Sequence, residues 1–143
     1  MKNQYLALFE RQQEEFNTFP MFFAFSDKQF EEGMARLGLK AADTDQIYSM
    51  GQGGYYRRSN AEAFKEMGIR HEQELQAAIK ADPTGEGFIK DMFYYELSNH
   101  EYSYTHDIQD TLEALDYTVD EVRNDEALFN GLQLALKEIN QED

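Results

Sequence analysis

The chain predicts an α+β fold dominated by helices, about five to seven of them, with a small two- or three-stranded antiparallel sheet in the N-terminal half. Three observations carry that expectation. Apolar residues recur at helical spacing along most of the 143 residues. Capping-box signatures precede three of those stretches. One glycine-rich segment lies between two short tyrosine-bearing runs, the pattern of a hairpin.

In chain order, the first helix is expected over about Lys2 to Asn17, with Leu6, Phe9 and Phe16 near one face. Asn17-Thr18-Phe19-Pro20 stops it, because proline restricts the residue before it and cannot extend a helix. Met21-Phe22-Phe23-Ala24-Phe25 has the length and aromatic content of a buried strand. Ser26-Asp27-Lys28-Gln29 reads as a capping box opening a helix to about Leu37, striped by Phe30, Met34 and Leu37. Gly38 follows as its left-handed terminator.

Ile47-Tyr48-Ser49-Met50 and Tyr55-Tyr56-Arg57 flank Gly51-Gln52-Gly53-Gly54 as a β-hairpin that would pair with the Phe22 strand. Ser59-Asn60-Ala61-Glu62 is a second capping box, and Phe64, Met67, His71, Leu75, Ala78 and Ile79 continue a helical face to about Lys80. Asp82-Pro83-Thr84-Gly85 breaks it. Phe88, Ile89, Met92, Phe93 and Leu97 mark the most apolar helix, ending near Asn99. A short amphipathic helix carries Ile108, Leu112 and Leu115. Thr118-Val119-Asp120-Glu121 is a third capping box, and the last helix bears Leu128, Leu132, Leu136 and Ile139.

The length suits one compact domain, residues 1–143, and is short for two full cores. A net charge of −15 would suit a disordered chain, but 41% hydrophobic and 14% aromatic residues argue that this one folds. There is no cysteine, hence no disulfide framework and no thiolate metal site. The opening residues lack the continuous apolar stretch of a signal peptide or membrane span, so a cytoplasmic location without membrane contact is expected.

Charge is unevenly distributed. Residues 1–95 hold 15 acidic and 11 basic side chains, a net of −4, whereas residues 96–143 hold 13 and 2, a net of −11. Asp107, Asp110, Glu113, Asp116, Asp120, Glu121, Asp125 and Glu126 recur every few residues across two expected helices. Such spacing would present negative charge on a rigid surface that repels phosphate and attracts a basic protein. Direct nucleic-acid binding is therefore not expected, and a basic partner surface is. The competing reading is a solvated face that only keeps the chain soluble.

Other constellations are weaker. Glu96 and His100 share a helical face and His106 follows, so the three offer nitrogen and oxygen to a divalent metal, but the spacing is not the zincin pattern. Gly51 to Gly54 followed by Arg57 and Arg58 lacks the Lys and Ser/Thr of a phosphate loop, which leaves a plain hairpin turn as the better account. Tyr48, Tyr55 and Tyr56 beside those arginines have the composition of a base-stacking surface, yet alternate rings of a short sheet also simply pack inward. Tyr94, Tyr95, Tyr102 and Tyr104 divide between core and a recognition surface. No nucleophile pairs with a base by spacing, no cofactor motif is present, and neither an enzyme nor a cofactor is expected.

Met21 to Gly33, Gly51 to Arg58 and Tyr95-Glu96-Leu97-Ser98-Asn99-His100-Glu101-Tyr102 resemble a family of small acidic proteins, largely uncharacterised, of phages, plasmids and conjugative elements of gut bacteria. The resemblance covers most of the chain and assigns no residue a role. It implies a mobile-element setting, in which acidic proteins of anti-CRISPR or anti-restriction type inhibit host nucleases. Three readings follow. The first is an inhibitor or nucleic-acid mimic on a basic surface of a CRISPR or restriction nuclease. The second is a small metal-dependent or phosphate-handling enzyme using Glu96, His100 and His106. The third is an accessory protein of mobile-element replication or transfer, with a homodimer as one form.

Overall fold

A computed structural model describes residues 2–142. Helices dominate, as expected: α1 (Gln4–Thr18), α2 (Asp27–Arg36), α3 (Ala61–Lys80), α4 (Phe88–Asn99), α5 (Tyr102–Thr105), α6 (Gln109–Ala114), α7 (Val119–Arg123) and α8 (Glu126–Gln141). The strands β1 (Met21–Phe23), β2 (Ile47–Gly51) and β3 (Gly54–Arg57) form one antiparallel sheet in the order β1-β3-β2. Backbone contacts divide the chain into two compact units, Met1–Gln13 with Gln73–Asp143, and Glu14–Glu72.

In the unit of Glu14–Glu72 the sheet is organised by aromatic rings on both of its faces. Phe22 of β1 lies opposite Tyr55 of β3, and their rings stack at 5.4 Å. Phe30 of α2 meets both rings edge-on. A Cβ at Gly33 would overlap the Phe22 ring, so this helical glycine lets α2 settle directly on the strand. The neighbouring Tyr56 stacks on Phe64 of α3 at 4.6 Å, as alternation along a strand requires.

Local signals at α2 are realised with one shift. The Ser26 hydroxyl accepts from Gln29 N, but the Gln29 side chain accepts from Phe25 N instead of the Ser26 amide. Gly38, at φ 77°, ends the helix with Gly38 N donating to Ala35 O and Leu39 N to Met34 O, the paired bonds of a Schellman motif. Two expectations are corrected. The first strand stops at Phe23, leaving Phe25 beyond it and 78% exposed. Ser59 does not open a capping box but sits in a 3-10 turn, Arg58–Asn60, that runs directly into α3.

The other unit holds the main core. α4 is the most buried helix, burying Phe88, Ile89, Met92, Phe93, Glu96 and Leu97. Burial of each large apolar side chain there contributes roughly 1.5–3 kcal/mol. Against α4 lies α8, which buries Leu128, Gly131, Leu132, Ala135 and Ile139. Their approach depends on two glycines. A Cβ at Gly131 would overlap the Ile89 side chain and stand 3.0 Å from Gly85 O, and Gly85 itself, at φ 79°, lies against the α8 backbone at Ala127. Lys90 to Glu138 at 2.6 Å and Tyr94 Oη to Glu142 at 2.6 Å extend the pairing toward the end of α8.

Asp82 does more than break α3. Its carboxylate accepts from Gly85 N, Gly87 N and Ile89 N at 3.0–3.1 Å, so one side chain folds the connection and caps the first turn of α4. Asn3 caps α1 through Leu6 N, and Asp91 of α4 accepts from Gln4 N.

Two glycine-to-alanine changes should move stability in opposite directions. Gly131→Ala forces the α4–α8 contact apart and should cost about 1–3 kcal/mol. Gly68→Ala adds a methyl in open space on an exposed stretch of α3 and should gain about 0.5–1 kcal/mol. Urea denaturation of both variants reads the difference; equal effects would contradict the packing described.

Candidate functional site

The eight carboxylates singled out by spacing are all exposed and lie on or beside α6, α7 and α8. Most also have a local task, and the tasks explain the spacing. Helix starts leave amide donors unpaired and carry partial positive charge, so each start recruits carboxylates. Asp107 accepts from Gln109 N, and Asp110 lies in the first turn of α6. Thr118 and Glu121 form a full capping box at α7, with Asp120 between them. Asp125 caps α8 by accepting from Leu128 N, and Glu126 follows in its first turn.

Asp116 has a different role. It takes φ 61° in the position glycine usually fills, while Asp116 N donates to Glu113 O and Tyr117 N to Leu112 O, closing α6 with a Schellman motif. Glu113 accepts from the Gln109 amide. Three helix starts in close succession thus create a dense series of acid-demanding ends, and the result is a negative surface held by backbone geometry.

Between these helices lies an apolar groove of about 180 Å³. Its floor is the outer side of the core, where Leu112, Val122 and Leu132 are buried. Ile108, Val119, Phe129 and Leu136 form its walls, and Val119 and Phe129 are each about 40% exposed. Val119 also borders an open depression lined by Glu113, Asp116 and Glu121. At the other end, Arg123 and Phe129 border a second depression with Glu126, Asn130 and Thr84. Sequence patterning located the carboxylates but not the groove, because each of its apolar residues fits a core-facing stripe equally well.

Glu96, His100 and His106 differ in accessibility: Glu96 is buried, His100 half-buried and His106 exposed. Glu96 Oε1 accepts from the Tyr5 hydroxyl at 3.0 Å, and His100 Nε2 lies 3.4 Å from Glu96 Oε2. Burial and the Glu96 charge together push the Tyr5 phenol well above its usual pKa. His106, at φ 55°, ends α5 by donating N–H to Tyr102 O, and its ring meets Tyr102 edge-on. Among the described residues, no group of three or more His, Asp or Glu is arranged to hold a metal.

The paired arginines are engaged by their own chain. Arg57 donates to Leu37 O beyond the end of α2; Arg58 donates to Asp45 O and lies over the Tyr48 ring at 4.6 Å. The tyrosines divide as well: Tyr94 and Tyr102 pack against the core, Tyr95 meets Tyr5 and Phe9, and Tyr104 is 85% exposed. No helix among the described residues is long and apolar enough to cross a membrane.

Tyr5→Phe leaves Glu96 buried with one donor fewer and should cost about 1–3 kcal/mol of unfolding free energy. The folded chain holds the Tyr5 proton more tightly than the unfolded chain does. Its contribution is therefore complete below the ordinary phenol pKa of about 10 and is lost as pH rises above it. The stability difference between wild type and Tyr5→Phe, followed by denaturation at neutral pH and above pH 10, should shrink accordingly; a constant difference would count against the linkage.

Residues 4–138 match the model of a family of unknown function (DUF7659), and the chain belongs to that family. No curated protein and no solved structure matches the chain.

Proposed function

We propose that this member of a family without an assigned function is an acidic protein-interaction module that binds a basic surface of another protein through α6, α7 and α8. The observation that carries the reading is the exposure of all eight carboxylates, from Asp107 to Glu126, on or beside α6, α7 and α8, whose caps fix their spacing. Arg123 and Lys137 are the only arginine and lysine in the last 48 positions, 96–143. The net charge of this region is therefore strongly negative and attracts cations over a range set by ionic strength.

In its sharper form, the partner's basic surface is a nucleic-acid channel, and the chain acts as a nucleic-acid mimic that inhibits a host defence nuclease of CRISPR or restriction type. Rigidly spaced carboxylates suit that task better than a flexible acidic tail, since little ordering entropy is lost on binding.

A charge test must spare the caps. Glu121→Gln preserves a capping-box acceptor, Asp116→Asn tolerates the left-handed backbone, and Asp110→Asn with Glu113→Gln removes two further charges without changing shape. Wild type and the fourfold variant should melt within a few degrees of each other. Affinity capture from a bacterial lysate should then retain a nucleic-acid enzyme on wild type alone, and duplex DNA or added salt should release it. Retention of the same partner by both proteins would overturn the reading.

A further inference from the structure

We infer that the groove between α6, α7 and α8 receives the apolar side chains of a basic amphipathic helix or peptide, so that the acidic face anchors its partner as well as attracting it. The inference rests on the acidic-module reading and adds to it a contact that charge alone does not supply.

Size decides the class of occupant first. A groove of about 180 Å³ falls below the roughly 300–1,000 Å³ that small-molecule and cofactor sites occupy, and it suits one or two inserted side chains. Its walls are apolar, and Val119 and Phe129 are left partly in water at its mouth. Among the described residues, no buried side-chain nitrogen or oxygen lacks a partner, so no orphaned polar group waits there for a polar ligand.

Charge decides the occupant next. The depression continuing from Val119 carries Glu113, Asp116 and Glu121, and Glu126 stands beyond Arg123 at the other end. A second copy of this chain, itself at −15, would be repelled, and so would an anionic membrane surface. A helix with lysine or arginine flanking an apolar stripe meets both demands, with one or two anchors, a pair being spaced i, i+3 or i, i+4 on one helical face. Arg123 sets a polarity: the partner's cations lie toward Val119, and a neutral or acidic group lies toward Arg123.

The test uses two synthetic peptides of one composition, leucine and lysine, one patterned as an amphipathic helix and the other scrambled. Binding to the full chain is followed by fluorescence anisotropy. Gln133 also lines the groove, so Gln133→Trp fills it without altering charge, and Phe129→Ala removes an exposed wall; circular dichroism confirms that both fold. The patterned peptide should bind about tenfold or more tightly than the scrambled one, and both variants should abolish that advantage. Equal binding of the two peptides, unaffected by Gln133→Trp, would overturn the groove and leave the charge reading standing. No binding of either peptide to wild type would overturn both.

Discussion

The close approach of α4 and α8 at Ile89 and Gly131 is the constraint on which the larger unit depends. Side chains on facing helices ordinarily hold axes 8–10 Å apart, and only a missing Cβ lets one helix seat a branched side chain against the other's backbone. Gly131 supplies that absence, and Gly85 allows the preceding loop to turn at positive φ against α8. Asp82 then fixes the loop by accepting three amide protons, which orients the first turn of α4. Once α4 is placed, Tyr5 and Asn3 of the N-terminal segment find Glu96 and the Asp91 carbonyl on it.

The acidity of the last third follows from the same architecture. A chain that starts three helices between Ile108 and Glu126 must satisfy three sets of orphan amides within few residues. Asp107, Thr118 with Glu121, and Asp125 satisfy them, and Asp110, Asp120 and Glu126 complement the helix dipoles. Helix-terminal carboxylates of this kind contribute about 0.5–1 kcal/mol each. Structural need accounts for much of the placement, while Glu113, which lies near the C-terminal end of α6 and so gains nothing from the dipole, adds charge for which helix capping gives no reason.

Much of the architecture was legible because its signals are local. The proline after α1, Gly38 after α2, the hairpin around Gly51 to Gly54 and the capping box at Thr118 depend on neighbours within a few positions. What escaped reading depends on partners far along the chain. Asp82 as a remote cap, Gly131 as a point of close approach and Glu96 as a buried carboxylate held by Tyr5 are all set by tertiary placement. Phe25 shows the opposite error: five consecutive apolar residues read as one buried strand, yet pairing with β3 ends at Phe23 and the last ring faces water. The acidic positions were legible as residues, but their division between caps and free charge was not.

Exposure of apolar side chains among those carboxylates is the step that separates a solvated face from a binding one. Charge by itself steers an encounter and weakens with salt, whereas residence depends on desolvated contacts near the centre of an interface. Here the apolar groove and the acidic rim are adjacent, sharing Val119 on one side and Phe129 with Arg123 on the other. Val119 and Phe129 line one groove instead of lying scattered, an arrangement that a binding face would use and a merely solvated face would not need. Under the proposed reading, the same residues beside fixed carboxylates would give a basic partner both the long-range attraction and the short-range anchor that a lasting complex requires.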